Sequence, residues 1–274
     1  GVIGQGFVGS AVKEGMKNYF TVVTYDKDPN KESTAFSIAD VVKQVDETFL
    51  CVPTPMRKDG SCDLNIVRAA LEEIASAVVK QQKRDFIVVI KSTIPPGTTE
   101  ALQKGYPEFS IVFNPEFLTE ANAVEDYKNQ NRIILGGERY GTTRMKQVFA
   151  KAFPEVPIIK TSATIAETIK YVTNTFLSMK VSYANEIYQL CQALNIDYDK
   201  VVEYARYDNR IGNSHWAVPG PDGDFGYGGH CFPKDIAALK YLAESLGVDT
   251  TMLTATIEKN NSVRTDLDWT KQVG

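Results

Sequence analysis

The chain has 274 residues, is 43% hydrophobic and 23% charged, and carries a net charge of −4 with a pI near 5.4. That balance suits one large or two modest globular domains, and it gives no basic surface for nucleic acid or an anionic membrane. No window of about 19 apolar residues occurs, which argues against a bilayer-spanning helix.

The first residues, GVIGQGFVG, have neither a charged leader nor a cleavage site. They also lack an initiator methionine, so part of the first strand is expected to be missing. Cys51, Cys62, Cys191 and Cys231 follow no CxxC or disulfide-framework spacing. Thiols in a reducing cytoplasm are the expectation. Nor is a metal expected, because a set of His215, His230 and Cys231 lacks a fourth ligand.

Gly4, Gly6 and Gly9 spell GxGxxG after an apolar start and before the helical run SAVKEGMKNYF. Such glycines permit a tight turn, close approach of the backbone to a pyrophosphate and close helix-on-strand packing. The helix N-terminus at Phe7 and Val8 then favours the negative charge. Asp26 closes the next apolar run, VVTYD (22–26), where a carboxylate binds the ribose hydroxyls of NAD and repels the extra phosphate of NADP. Lys27 beside it leaves NADP open.

Further apolar runs, TFLCVP (48–53), FIVVIKST (86–93), SIVFNPEF (110–117) and RIILGG (132–137), read as buried strands. They alternate with helical stretches such as 64–82, the pattern of a Rossmann-type, doubly wound, largely parallel sheet. Ligands bind beyond the carboxyl ends of strands in such sheets. Val52, Pro53, Thr54, Ser92 and Thr93 are therefore expected beside a cofactor, and Asn114 to Glu116 fall at another strand end. Glu120 lies one further turn along.

From about residue 161 the strands are expected to stop. Ser162 can cap a helix, and Thr164 with Glu167 matches a capping box. Ile165, Ile169, Val172, Phe176, Met179, Tyr183, Ile187, Leu190 and Leu194 then recur at steps of three and four. A single helix of roughly 30 residues follows, about 45 Å long at the α-helical rise. It is read as joining two domains or packing on its twin in a homodimer. The expected division is 1–160, an α/β NAD-binding domain, and 161–274, an all-α domain.

Lys170 and Asn174 stand four apart, on one face of that helix and one position off its apolar stripe. A lysine and an asparagine so placed can hold charge near an alkoxide and orient a hydroxyl. After a loop rich in Gly, Pro and Asp, Pro233 begins a helix to about Leu246. Cys231 lies just before it, where a helix N-terminus favours thiolate, and Asp235 falls in the same first turn.

The motifs GVIGQGFVGSAV, CVPTPMRKDGSCDL, KSTIPPGTT, NPEFLTEANAVEDYKNQNRIILGG, KYVTNTFLSMKVSYANEI, NRIG and GYGGHCFPKDIAAL run in order along almost the whole chain. Together they resemble the UDP-glucose/GDP-mannose dehydrogenase family. The resemblance implies two-step oxidation of a sugar C6 hydroxyl to a carboxylate, with two NAD reduced per nucleotide sugar. UDP-glucose leads as substrate, ahead of GDP-mannose and UDP-N-acetylhexosamines. It further implies that Lys170, Asn174, Asp235 and Thr93 surround the C6 oxygen and a water. Cys231 attacks the aldehyde, and Glu116, or secondarily Glu120, acts on the water that hydrolyses a thioester. Glu116, Phe117, Leu118, Glu120, Lys170, Asn174, Arg210 and Gly228 are the implied substrate contacts.

Three departures accompany this likeness. Members of the family continue into a C-terminal nucleotide-sugar-binding domain, and this chain stops at Gly274. His230 stands where a small residue is usual, and SHWAVPGPDGDF lengthens the approach to Cys231. Two rival readings stay open: a β-hydroxyacid-type dehydrogenase, which needs no cysteine, and a non-catalytic NAD-binding module. A hydrolase built on Cys231 and His230 is disfavoured, because adjacent side chains point apart.

Overall fold

A computed structural model of the chain describes residues 1–272. The chain divides into two compact units, residues 1–54 with 63–170, and residues 55–62 with 171 onward. The expected helical domain ended at Gly274; its last two residues, Val273 and Gly274, lie outside the described residues.

The first unit is α/β. Its elements in chain order are β1 (Val2–Ile3), α1 (Phe7–Met16), β2 (Thr24–Tyr25), α2 (Ile38–Gln44), β3 (Glu47–Leu50) and α3 (Asn65–Lys80). Then come β4 (Ile87–Ile90), α4 (Thr98–Gly105), β5 (Ser110–Phe113), α5 (Ala123–Lys128), β6 (Ile133–Gly137), α6 (Arg139–Ala152) and β7 (Ile158–Thr161). The strands form one sheet in the order β2-β1-β3-β4-β5-β6-β7. All neighbours run parallel except β5 and β6, which pair antiparallel through Val112–Gly137 and Phe113–Gly136. Strand order reverses at β1, so the carboxyl end of β1 lies at the switch point where such sheets bind ligands.

Every residue of β4, Ile-Val-Val-Ile, is fully buried. A central parallel strand is covered on both faces, which is why this run is continuously apolar rather than alternating. One core layer packs α2, α3 and α4 on the sheet; the other packs α1, α5 and α6 on its opposite face. Helix α3 buries Val67, Ala70, Leu71, Ile74, Ala77 and Val78, steps of three and four that give one apolar face.

The apolar runs are longer than the strands they contain. TFLCVP, expected over 48–53, pairs only to Leu50, and FIVVIKST only from Ile87 to Ile90. The remaining residues leave the ladder and form the carboxyl-end loops. Strand β7 was not anticipated from sequence. Its alternation is weak because its two central residues are exposed at a sheet edge.

Helix α7 (Ala163–Leu194) runs 32 residues. Ser162 does cap it, accepting from the Ile165 amide at 3.3 Å. The capping box expected of Thr164 and Glu167 does not form. Thr164 already lies inside the helix, and the fully buried Glu167 caps a different one. Its carboxylate accepts from the Gly97 and Thr99 amides, at 2.6 and 2.7 Å, and from the Thr99 hydroxyl. Gly97 is in the left-handed region at φ 90°, and this bond satisfies orphan donors at the start of α4.

The apolar stripe of α7 is largely exposed: Val172 at 56%, Phe176 at 58% and Tyr183 at 55%, with Ile165, Leu190 and Leu194 similar. The buried face is mostly polar or small: Ala166, Glu167, Lys170, Asn174, Thr175, Ser178, Ser182 and Asn185.

The second unit adds α8 (Tyr198–Ala205), α9 (Phe232–Ser245) and α10 (Thr251–Val263). Its apolar cluster is small: Cys191, Tyr198 and Val202 with Ile187, Tyr188, Trp216 and Val218. A buried hydroxyl ties α7 to α10, Ser182 donating to the Thr256 carbonyl at 2.8 Å. Residues 55–62 form a short excursion closed by a bridge between Met56 and Cys62, and Gly60 faces Ala237 of α9. Among the described residues, no helix is long and apolar enough to cross a membrane.

Candidate active site

In the first unit the glycine turn follows β1 directly. Gly4 has φ 89°, and a Cβ there would meet the Cys51 carbonyl at 2.6 Å. A Cβ on Gly9 would fall 1.8 Å from the Gly4 carbonyl, so α1 can approach the turn only with glycine there. Gly6 is different: nothing lies within 4 Å of the space its side chain would take. That open space faces the start of α1 at Phe7 and Val8, which has no side-chain cap and no acidic residue in its first turn. A dinucleotide pyrophosphate fits these features.

Asp26 follows β2. One carboxylate oxygen accepts from the Gln5 amide at 2.5 Å, and the other from the Asp28 amide at 2.8 Å. The Gln5 side chain donates to the Glu32 carbonyl, and the Ser33 hydroxyl accepts from the Asp26 amide at 2.9 Å. The acid is thus fixed beside the turn, with lone pairs left for ribose hydroxyls.

The loops after β3 and β4 brace each other. The Ser92 hydroxyl donates to the Val52 carbonyl at 2.6 Å, and Thr54 to the Thr93 carbonyl at 2.8 Å. Thr54, Ser92 and Thr93 are all buried, while Pro53 is exposed.

After β5, Glu116 and Lys170 form a buried ion pair at 2.8 Å, their side chains 5% and 3% exposed. The Lys170 ammonium also donates to the Glu116 carbonyl at 2.7 Å. The other Glu116 oxygen accepts from the Leu118 amide at 2.8 Å. Burial would raise the Glu116 carboxyl, but the Lys170 charge, these bonds and Lys91 together hold it below the usual carboxylate range. Phe117 places its ring 5.7 Å from the Lys170 ammonium and 4.1 Å from the Arg132 guanidinium. Glu120 lies exposed in a short 3₁₀ turn, so the structure separates the two acids by burial.

Sequence reasoning missed Lys91. It is buried at the end of β4, donates to the Asn114 side-chain oxygen at 2.9 Å, and lies 5.5 Å from the Tyr127 ring. The Asn114 amide in turn donates to the Ile134 carbonyl at 2.7 Å. These two bonds tie β4, β5 and β6 together just before Glu116 leaves the sheet. Burial pushes the Lys91 ammonium down to about 8, with Cys51 and Glu116 opposing and Lys170 assisting. A lysine ending an otherwise apolar run was the available signal.

In the second unit, Cys231 occupies the N-cap of α9, with Pro233 in the first turn. The Asp235 amide donates to the Cys231 carbonyl at 3.0 Å. The Asp235 side chain is 1% exposed; one oxygen accepts from the Asn174 side-chain amide at 2.6 Å and the other pairs with Lys234. Lys234 was also missed. Burial would lower its ammonium, yet the Asp235 carboxylate and the Cys231 and Cys62 thiols raise it to about 12. A lysine in the first turn of a helix opposes the dipole, and that placement was the sequence signal.

Arg210 is exposed and pairs with Asp208 at 2.5 Å. At Gly228, the space a Cβ would take is filled by the Arg264 guanidinium. His230 is exposed, whereas His215 packs its ring 5.7 Å from Phe232.

The NAD-binding-domain model of the UDP-glucose/GDP-mannose dehydrogenase family matches residues 31–153, and its central-domain model matches residues 164–262. The UDP-glucose 6-dehydrogenase TuaD of Bacillus subtilis is 34% identical over 234 residues, covering 83% of this chain and 49% of that protein. The UDP-glucose 6-dehydrogenase AglM of Haloferax volcanii is 34% identical over 239 residues, covering 81% and 54%. A UDP-glucose dehydrogenase structure from the archaeon Pyrobaculum islandicum superposes with a TM-score of 0.86 at 32% identity, covering 95% of this chain and 67% of that one. The Mycobacterium tuberculosis 3-hydroxyisobutyrate dehydrogenase, 16% identical with a TM-score of 0.76, shares the fold. The chain spans about half the length of the curated relatives it matches.

Proposed function

The chain belongs to the UDP-glucose/GDP-mannose dehydrogenase family, and we propose that it forms the NAD-binding and central parts of an enzyme oxidising the C6 alcohol of a nucleotide sugar, UDP-glucose first, to the carboxylate. The observation that carries this reading is the thiol of Cys231 at a helix N-cap, one turn from an Asp235 held by Asn174 and Lys234. A β-hydroxyacid-type dehydrogenase has no use for that cysteine.

The glycine turn, Asp26 and the braced loops at Val52–Thr54 and Ser92–Thr93 hold NAD, which when bound supplies the hydride acceptor for both oxidations. Asn174 and Asp235 orient the C6 oxygen, and Lys170 holds positive charge where an alkoxide develops. The Cys231 sulfur adds to the aldehyde carbon, giving a thiohemiacetal, and loss of hydride leaves a thioester. Glu116, kept anionic by Lys170, then takes a proton from the hydrolysing water, and the carboxylate leaves as Cys231 regains its thiol. Glu120, Phe117, Leu118, Arg210 and the backbone at Gly228 serve the nucleotide sugar. The thiols accord with a reducing cytoplasm.

The test mixes the protein with NAD and UDP-glucose, with GDP-mannose and UDP-N-acetylhexosamines in parallel, and follows absorbance of the reduced nicotinamide. Two equivalents per sugar are expected with one of these substrates. Bound NAD with no reduction on any of them would leave the non-catalytic module instead.

The exposed α7 stripe fits a second copy of the chain, since large aliphatic and aromatic side chains over half exposed favour burial. Sedimentation of the chain as a dimer, and of Val172→Asp with Phe176→Asp as a monomer, is expected. A monomeric parent chain would refute this assignment.

A further inference from the structure

The approach to Cys231 is rich in glycine, yet its backbone is tied at successive points by side chains from elsewhere in the second unit. The Gly226 amide donates to the Asn185 side-chain oxygen at 3.2 Å. Asn260 of α10 is 1% exposed and makes a two-way bond with Tyr227, accepting its amide at 2.7 Å and donating to its carbonyl at 3.0 Å. The Gly229 amide, two residues before Cys231, donates to the Asp268 carboxylate at 3.0 Å.

Arg264 lies across this segment with its side chain 3% exposed. The guanidinium donates to the Asp266 carbonyl at 2.9 Å, the Phe225 carbonyl at 3.3 Å and the Asp222 carboxylate at 2.7 Å. Asp224 and Asp268 complete its anionic surround at 3.9 Å each. Asp224 also accepts from the Thr265 and Asp266 amides, at 3.1 and 3.0 Å. A Cβ at Gly228 would stand 2.1 Å from an Arg264 nitrogen, so the glycine makes room for the arginine. Gly226 and Gly229 adopt φ 68° and 74°, which their fixed amides hold in place.

We propose that Arg264, bonded to the Phe225 carbonyl and packed on Gly228, is with Asn260 and Asp268 a positioning residue that clamps the 225–229 backbone and thereby holds the Cys231 thiol at the N-terminus of α9. The proposal rests on Cys231 being the nucleophile. A planar fork suits the site because it reaches two carbonyls and a carboxylate at once, which an ammonium does not. The helix N-terminus stabilises thiolate only while the sulfur stays within its first turn. Releasing the segment therefore lowers the thiolate population without touching the sulfur.

The experiment measures the iodoacetamide alkylation rate of Cys231 at pH 7 by peptide mass spectrometry, with thermal unfolding recorded for each variant. Arg264→Met and Asp268→Ala are each expected to slow alkylation about threefold: a one-unit rise in thiol pKa cuts the thiolate by at most about tenfold, and its greater intrinsic nucleophilicity returns about threefold. Arg264→Lys is expected to recover part of the rate, and backbone hydrogen exchange at Tyr227 and Gly229 to quicken in both slowed variants. Asp268 is partly exposed, so its variant decides the matter should Arg264→Met fail to fold. Unchanged alkylation in folded Asp268→Ala overturns the clamp. A parent Cys231 that alkylates no faster than an ordinary thiol overturns the nucleophile reading instead.

Discussion

On the proposed mechanism, Cys231→Ser is expected to lose sugar-acid formation by on the order of 10³-fold or more, a loss of the size seen when a covalent nucleophile is removed. The serine oxygen keeps the N-cap position but is a far weaker nucleophile at neutral pH. The aldehyde, no longer captured as a hemithioacetal, is expected to leave after the first oxidation. The assay therefore counts reduced nicotinamide and carboxylate separately: at most one equivalent of the former and none of the latter. Carboxylate formed at the parent rate would end the covalent mechanism. Because Asn174 and Lys234 each hold the Asp235 carboxylate through bonds the substitution leaves in place, the variant is expected to stay folded, with thermal unfolding as the check.

The second large effect is on stability. Glu116→Gln leaves the Lys170 ammonium buried without its counter-charge, at a cost of about 3–5 kcal/mol, the range for breaking a buried ion pair from one side. Lys170→Met strands the carboxylate in the same way. The double variant is expected to cost clearly less than the two single costs added, since no lone charge remains. Urea unfolding gives all three values. The Glu116 carboxyl is held below the unfolded carboxylate range, so the unfolded state takes up its proton first as pH falls. This stabilisation is complete above that range and lost as pH drops through the folded value. The gap between parent and Glu116→Gln should accordingly narrow in acid; a gap constant down to acid unfolding, or additive single costs, would show that the pair is not coupled.

Much of the site was legible as spacing. Gly4, Gly6 and Gly9 announced the turn, and the three have distinct jobs: a left-handed turn, an open space and a close helix contact. Cys231 before Pro233 announced a thiol at a helix start, and that is its position. Lys170 and Asn174 announced a shared helix face, and both are buried on it. Local rules sufficed wherever partners lie within a turn or a strand.

They failed where partners are distant in sequence. Thr164 and Glu167 have capping-box spacing, but the buried carboxylate satisfies amides 68 and 70 residues away. Nor did the stripe of α7, read as a face for a second domain or a twin helix, tell which polar groups that helix buries: Glu167, Lys170, Asn174 and Ser178 among them. Periodicity reports which residues share a face; it carries nothing about what covers that face.

The sequence by itself determined the alternating α/β order, the dinucleotide turn, the long helix and the place of the Cys231 thiol at a helix start. Each depends on interactions within a few residues. Only the tertiary structure decided that Glu116 rather than Glu120 is the buried acid, that Lys91 and Lys234 belong to the charged centres, and that Arg264 lies on Gly228. Those outcomes turn on desolvation and on which charges meet across the fold, and neither can be read from one stretch of chain.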